Sequence, residues 1–258
     1  MTFAEAFSLG DREVISLVGG GGKTALMYAL GCELSAKRGG TILTTTTRVR
    51  EPETAPSRLQ FLSHDLAEVG SWVAENIGRR AALLIARGRL PDGKLEGVPP
   101  EWVEALFRVA GVSYIVNEAD GAAGRPLKAP REGEPVVPKN TTLLVPVMGI
   151  DGLGRPLDEA WVFRSAIASR LLDLPLGSTV TEEVVARLMK ALLKGTPPGT
   201  RVVPVVNKID LPGGREKARK LARYLLSMDP GIRRVLLCRL RETSDAEAVV
   251  SGEWPQQP

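Results

Sequence analysis

Short apolar runs alternate with amphipathic stretches along most of this chain. The apolar runs have the length of buried strands and lie at 14–18, 41–47, 58–62, 81–86, 112–117, 142–148, 201–206 and 233–238. Helical periodicity is found at 25–38, 65–77, 100–110, 158–172, 181–194 and 213–227. Strands that alternate with helices predict an α/β fold with a mainly parallel sheet and helices on both faces.

Two stretches depart from this alternation. The helices at 158–172 and 181–194 follow each other without a strand, which predicts a small helical insertion at about 158–195 within a single domain spanning 1–258. Residues 121–140 contain four prolines and no periodicity. Long loops without periodicity often carry function, so we expect this segment to be a working loop.

A glycine-rich turn follows the first apolar run and precedes the first helix. It comprises Gly19, Gly20, Gly21, Gly22, Lys23, Thr24 and Ala25. Glycines allow backbone N–H groups to approach an anion closely, and the following helix adds its positive end. We therefore predict a phosphate site in a three-layer P-loop NTPase-like fold. Lys23 would reach the outer phosphates, facing solvent when the site is empty, and the Thr24 hydroxyl would bind Mg²⁺.

The turn is shorter than the GxxxxGK[ST] pattern because Leu17 occupies the position of its first glycine. The match is to a GxxGKT loop, which resembles the ATP loop of Mur-type ligases. The alternative interpretation is a glycine-rich strand-to-helix turn followed by Lys-Thr without function.

Acidic residues follow the apolar run at 112–117. A carboxylate at the end of such a strand holds Mg²⁺ or polarises the attacking water, so we assign Asp120 to the metal and Glu118 to a catalytic base. Thr46, at the end of the 41–47 run, is a further candidate hydroxyl for Mg²⁺. The candidate residues for an anion or substrate loop are Arg48, Arg125, Lys128 and Glu134. The alternative is that Glu118 and Asp120 are solvated loop acids.

The run at 201–206 ends in Asn207-Lys208-Ile209-Asp210, which is the NKxD signature of guanine-nucleotide proteins. An Asp carboxylate accepts two hydrogen bonds from guanine, whereas adenine has no donor at N1. We expect the Lys208 stem to lie along the base and Asn207 to brace the phosphate loop. The alternative is a turn in which Asp210 starts the next helix.

Composition restricts the partners. The 258 residues carry a net charge of +4, which suits a polyphosphate ligand without requiring nucleic acid. Aromatic content is 5%, which argues against base-stacking platforms. Cys32 and Cys238 are far apart, so they predict neither a disulfide nor a metal pair. No signal or membrane-spanning run is found, and we expect a cytoplasmic protein that binds neither nucleic acid nor membrane.

These motifs together resemble the YqeC family of selenium-dependent hydroxylase accessory proteins, also described as selenium cofactor biosynthesis proteins. The matching segments are Gly19–Thr24, Thr44–Thr47, Glu118–Gly121, Arg125–Pro130, Glu134–Pro138, Gly149–Leu157 and Asn207–Asp210. Members often have a histidine before the Glu-Pro and another before an arginine, where this chain has Gly133 and Phe163. The resemblance implies that the protein helps to mature a molybdenum hydroxylase that carries labile selenium.

The leading functional hypothesis is a Mg²⁺-dependent nucleoside triphosphatase that prefers GTP to ATP and acts on such a partner enzyme. One alternative is an ATP-dependent ligase or kinase of small molecules. Another is a nucleotide-sensing module with little turnover, in which the 121–140 loop becomes ordered around the γ-phosphate.

Overall fold

A long, mostly parallel sheet forms the centre of the protein. The computed structural model describes residues 1–37, 39–50, 58–240 and 246–251. The sheet's strands are β1 (Glu13–Gly19), β2 (Thr41–Thr45), β4 (Arg58–Leu62), β5 (Ala82–Ala86), β8 (Tyr114–Glu118), β10 (Leu143–Gly149), β12 (Arg201–Val202), β13 (Val205–Asn207), β14 (Arg234–Cys238) and β15 (Ala246–Ser251). Their order is β15-β14-β13-β10-β1-β8-β2-β5-β4, with β12 also paired to β10. Only β15 runs antiparallel to its neighbour among these described strands.

Five shorter strands among the described residues lie outside this sheet. They are β3 (Val49–Arg50), β6 (Gly88–Arg89), β7 (Lys94–Glu96), β9 (Leu127–Lys128) and β11 (Val162–Phe163). Strands β3, β7 and β6 form a small antiparallel sheet, and β9 pairs with β11 in parallel. These strands have two or three residues each, which is too short for a detectable apolar alternation.

Helices cover both faces of the sheet, as predicted. The described helices are α1 (Phe3–Ala6), α2 (Lys23–Lys37), α3 (Leu66–Asn76), α4 (Pro100–Leu106), α5 (Ser165–Leu172), α6 (Glu182–Leu192) and α7 (Gly214–Met228). Strand side chains alternate between the faces. In β1, Ile15 and Leu17 join the cluster of α1 and α2, whereas Val14 joins the cluster of α3 and α4. The protein is therefore an α/β fold with one helical layer on each face.

The helices predicted as an insertion at 158–195 belong to one of these layers. Helices α5, α6 and α7 pack together over Met148, Val206 and Leu237 of the sheet. The first of them starts at Ser165 rather than at 158, because the preceding residues form turns and the short strand β11. The pair is thus an integral part of the core rather than an excursion from the sheet.

Other boundaries also differ from the prediction. The strand predicted at 201–206 is divided into β12 and β13 at Pro204, which has no N–H to donate to a ladder. The helix predicted to reach residue 110 ends at Leu106. Within the described residues, no helix has both the length and the apolar character needed to cross a membrane.

Candidate nucleotide site

The glycine-rich loop connects β1 to α2 at the carboxyl edge of the parallel strands. Gly19 and Gly21 have φ angles of +95° and +74°. A Cβ on Gly19 would lie 2.4 Å from the Val147 carbonyl oxygen, and one on Gly21 would lie 2.2 Å from the Gly149 nitrogen. Only glycine satisfies both the backbone angle and this close approach. The loop is held by Gly20, whose N–H donates to the Val147 carbonyl at 2.9 Å.

The Lys23 side chain is folded back beneath this loop. Its ammonium donates to the Gly19 carbonyl at 2.5 Å and lies 3.2 Å from Asp120 Oδ1 and 3.5 Å from Glu118 Oε1. Burial alone lowers the pKa of Lys23, but the two carboxylates outweigh it and raise that pKa. Lys23 is only 4% exposed, so the expectation that it faces solvent without a ligand is wrong. Its charge is neutralised by the two acids.

Glu118 is the carboxylate nearest the metal-binding hydroxyl predicted from the sequence. It is the last residue of β8, and its Oε2 accepts a hydrogen bond from Thr24 Oγ1 at 2.8 Å. Burial raises the pKa of Glu118, partly offset by Lys23. A cation beside this pair would replace the missing solvation of the carboxylate.

Asp120, which the sequence assigned to the metal, occupies a different position. Its side chain is fully buried, and both carboxylate oxygens lie 3.0 Å from the Gly19 nitrogen. Its oxygens also contact the ammonium groups of Lys23 at 3.2 Å and Lys128 at 3.1 Å. Asp120 therefore fixes the loop and its lysine, whereas Glu118 borders the open space above them.

The Asn207–Asp210 segment lies beside the loop, two strands away from β1 in the sheet. Asn207 Nδ2 donates to the Gly21 carbonyl at 2.8 Å, which confirms its predicted bracing contact. Its Oδ1 accepts from the Leu240 N–H at 3.0 Å. Lys208 has a φ of +67° and pairs with Asp151 at 2.6 Å. Asp210 is exposed and borders the same space.

A cavity of about 870 Å³ joins these groups. It is lined by Gly21, Gly22, Lys23, Thr24, Ala25, Arg48, Val49, Arg50, Lys94, Glu118, Gly121, Ala122, Ala123, Gly124, Arg125, Asp151, Asn207, Lys208, Asp210, Leu211 and Leu240. Six of these side chains are cationic and three are acidic. Small-molecule sites enclose about 300–1,000 Å³, so the cavity has the size and the charge for an anionic ligand of nucleotide size.

The acid–hydroxyl pair of Glu118 and Thr24 suits Mg²⁺ bound together with phosphate. Among the described residues, no group of three or more His, Cys, Asp or Glu side chains is placed to hold a metal by itself. Mg²⁺ usually takes one or two protein oxygens and completes its shell with water and substrate phosphates. The residues present therefore fit a magnesium ion whose remaining ligands are water or phosphate oxygens.

Comparison with known proteins identifies the family. The model of the YqeC protein family matches residues 15–166. A relative from Escherichia coli (strain K12), named "Uncharacterized protein YqeC", is 30% identical over 215 residues that cover 76% of this chain and 75% of the relative. The chain belongs to the YqeC family.

An ion-pair network next to the glycine-rich loop contains four residues of the YqeC-like segments, namely Lys23, Asp120, Lys128 and Glu134. Glu134 accepts hydrogen bonds from Arg164 at 2.6 and 2.9 Å and from Lys128 at 2.7 Å. Lys128 also contacts Asp120, so the network continues to the loop lysine. Gly133 and Phe163 precede Glu134 and Arg164 in the sequence. The two departures from the YqeC pattern therefore flank one ion pair.

The remaining predicted site residues fall into two groups. Arg48 and Arg125 line the cavity, and Arg125 donates to the carbonyls of Glu159 and Ala123, both at 2.9 Å. Lys128 is fully buried away from the cavity, and the Thr46 hydroxyl donates to the Val136 carbonyl at 2.6 Å. Those contacts favour structural roles for Lys128 and Thr46.

Sequence reasoning missed several residues of the cavity wall, among them Arg50, Lys94, Asp151 and Leu240. Asp151 had a usable signal, because it lies in a turn-rich segment directly after a buried strand. Leu240 had none, since its place depends on the backbone contact with Asn207. Arg50 and Lys94 come from strands too short to detect.

Proposed function

We propose that this protein is a Mg²⁺-dependent nucleoside triphosphatase that prefers guanine nucleotides. The observation that carries the proposal is the union of three groups around one cavity. These are the glycine loop with its positive φ angles, the Thr24–Glu118 pair, and the Asn207–Asp210 segment braced against the loop. Phosphates would bind the loop N–H groups, and Lys23 would leave its carboxylate partners to contact the outer phosphates.

The observed contacts suggest other roles for Glu118 and Asp120 than the sequence did. Glu118 would hold Mg²⁺ together with Thr24, through water or directly. Asp120 would act as a positioning residue for Lys23, because its oxygens already contact the loop N–H and two lysines. Glu118 would accept the proton of the attacking water, and burial raises the pKa of Glu118 above its ordinary value, which makes the carboxylate a stronger base.

Guanine preference rests on Asp210. Its exposed carboxylate borders the cavity near Lys208 and Leu240, which offer an alkyl stem and an apolar side chain to a base. A carboxylate that accepts from guanine N1–H and the exocyclic 2-amine would find neither donor on the same edge of adenine. The family relationship supports a further proposal, that hydrolysis serves the maturation of a selenium-dependent molybdenum hydroxylase in the cytoplasm.

The test compares GDP with ADP in thermal unfolding at equal concentrations. A ligand that binds the native state raises the melting temperature, so GDP should raise it more. Asp210→Asn should reduce the preference by about 1–3 kcal/mol, the value of one bidentate base contact. Glu216→Gln, which changes an acid within α7, serves as the control. Equal shifts by GDP and ADP, unaltered by Asp210→Asn, would support an adenine-nucleotide ligase or kinase instead.

A further inference from the structure

A second group of cations lines the cavity on the far side of the phosphate loop. Arg48 directly precedes β3, Arg50 lies in β3 and Lys94 lies in β7. We call these three residues and their two strands the cationic arm. Strand β3 follows β2, which lies two strands from β1 on the β8 side. The Asn207–Asp210 segment follows β13, two strands from β1 on the opposite side. A nucleotide with its base near Asp210 and its phosphates on the loop would point its outer phosphate toward these cations.

The strand register places two of the cations side by side. Arg50 pairs directly with Lys94 across the antiparallel β3–β7 ladder, and Val49 pairs with Leu95. Val49 and Leu95 are 3% and 1% exposed, so this apolar pair anchors the arm. Like charges directly opposite each other destabilise a strand pair. An anion bound between Arg50 and Lys94 would remove that repulsion.

The arm is also fixed in position before any ligand binds. The Val98 N–H donates to the Thr45 carbonyl at 2.8 Å. A Cβ on Gly97 would lie 2.3 Å from the Thr47 carbonyl oxygen. The backbone after β7 is therefore in close contact with the backbone before β3. The backbone that carries these cations therefore needs no reordering when an anion binds.

We propose that Arg48, Arg50 and Lys94 form a second anion subsite, which takes a phosphate- or carboxylate-bearing compound while the nucleotide is bound. The inference rests on the proposed function, because it places the second compound beside the outer phosphate of the nucleotide. Asp92 accepts from Lys94 at 2.7 Å and offsets one positive charge, which leaves the arm with a net positive charge for the ligand. The nucleotide would then share the cavity with an anionic co-substrate rather than with water alone.

The test uses inorganic phosphate as the probe. The protein is saturated with Mg²⁺ and the non-hydrolysable β,γ-imido analogue of the nucleotide that binds more tightly, so that the γ-phosphate position is filled. Phosphate is then titrated and its binding followed by broadening of its ³¹P resonance. We expect saturable binding that weakens about tenfold or more in Arg50→Gln/Lys94→Gln, the loss of a charge-assisted contact.

The matched control is Arg79→Gln/Arg80→Gln, which removes two exposed positive charges outside the cavity wall. It should leave phosphate binding unchanged. Equal phosphate affinity in the wild type and in Arg50→Gln/Lys94→Gln would overturn the proposal. The proposal would also be overturned if Arg50→Gln/Lys94→Gln lowered the affinity for the imido analogue but not the affinity for the nucleoside diphosphate. The cations would then contact the γ-phosphate itself.

Failure of the proposed function gives a different result. If calorimetry detected no nucleotide binding, phosphate would be titrated into the protein alone. Binding that still depended on Arg50 and Lys94 would support the anion subsite, and binding independent of them would refute it.

Discussion

Replacement of Glu134 by glutamine tests the buried network that leads from the 121–140 loop to the glycine-rich loop. The Glu134 side chain is 7% exposed and contacts Lys128, Arg164 and the more exposed Arg131. Burial alone raises the pKa of Glu134, but hydrogen bonds from Arg164 and Lys128 outweigh it. They lower that pKa from 4.5 to about 2. The glutamine keeps the shape of the side chain and removes its charge.

The pKa difference sets the size of the effect. A change of one pKa unit corresponds to about 1.4 kcal/mol, so the ionised Glu134 contributes about 3 kcal/mol to the free energy of unfolding at neutral pH. The folded pKa is below the unfolded value, so this contribution is complete above about pH 5. It is lost as the pH falls from about 4.5 to about 2, and less than half of it remains at about pH 3.

Urea unfolding at pH values from 7 down to 3 measures both quantities. At pH 7, Glu134→Gln should be about 3 kcal/mol less stable than the wild type, since Lys128 and Arg164 lose the charge that neutralises them. The difference should shrink toward pH 3, because the protonated wild-type side chain resembles the amide. Glu132→Gln, which alters an exposed neighbouring carboxylate, should change stability by less than about 0.5 kcal/mol. A stability difference for Glu134→Gln that stayed constant with pH would refute the reasoning.

Two further predictions concern the cavity itself. Lys23→Ala should weaken nucleotide binding by about 1.5–3 kcal/mol in calorimetry, the value of hydrogen bonds to a charged group. It should also lower the melting temperature, because Asp120 and Glu118 lose their buried cation; unchanged nucleotide affinity in folded protein would remove Lys23 from the site. Glu118→Gln should lower the affinity for Mg²⁺ in a magnesium titration of nucleotide binding. Asp120→Asn should mainly lower the free energy of unfolding in urea, since Lys23 and Lys128 lose the negative charge of Asp120. If Asp120→Asn had the larger effect on Mg²⁺, the original assignment of the metal to Asp120 would be restored.

The central strands and the glycine loop were predictable because their signals are local. A buried parallel strand reads as a short apolar run, and β1, β8 and β10 are buried along their whole length. The strand–glycine–helix order around Gly19 also needs no knowledge of distant residues. The predicted contact of Asn207 with the loop succeeded for a related reason, because both segments follow parallel strands and so meet at one edge of the sheet.

The short strands were not predictable because their pairing partners are remote. β9 pairs with β11 across more than thirty residues, and β3 pairs with β7 across more than forty. Two-residue strands carry no periodicity of their own. The missed strand β11 occupies residues that were predicted to be helical, so α5 starts later than expected. Glu159 accepts from the N–H groups of Arg164 and Ser165 at 2.9 Å, and these bonds fix the start of the helix.

The positions of the charged side chains in the site could be predicted only in part from the sequence. Glu118 and Asp120 follow each other closely in sequence, and both contact Lys23. Which of them borders the cavity depends on where β8 ends, and Asp120 lies beyond that end, beneath the Gly19 N–H. Lys128 resembled a surface anion binder because a proline-rich loop surrounds it in sequence. Its burial follows from Asp120 and Glu134, two acids whose spatial relation to it no local pattern records.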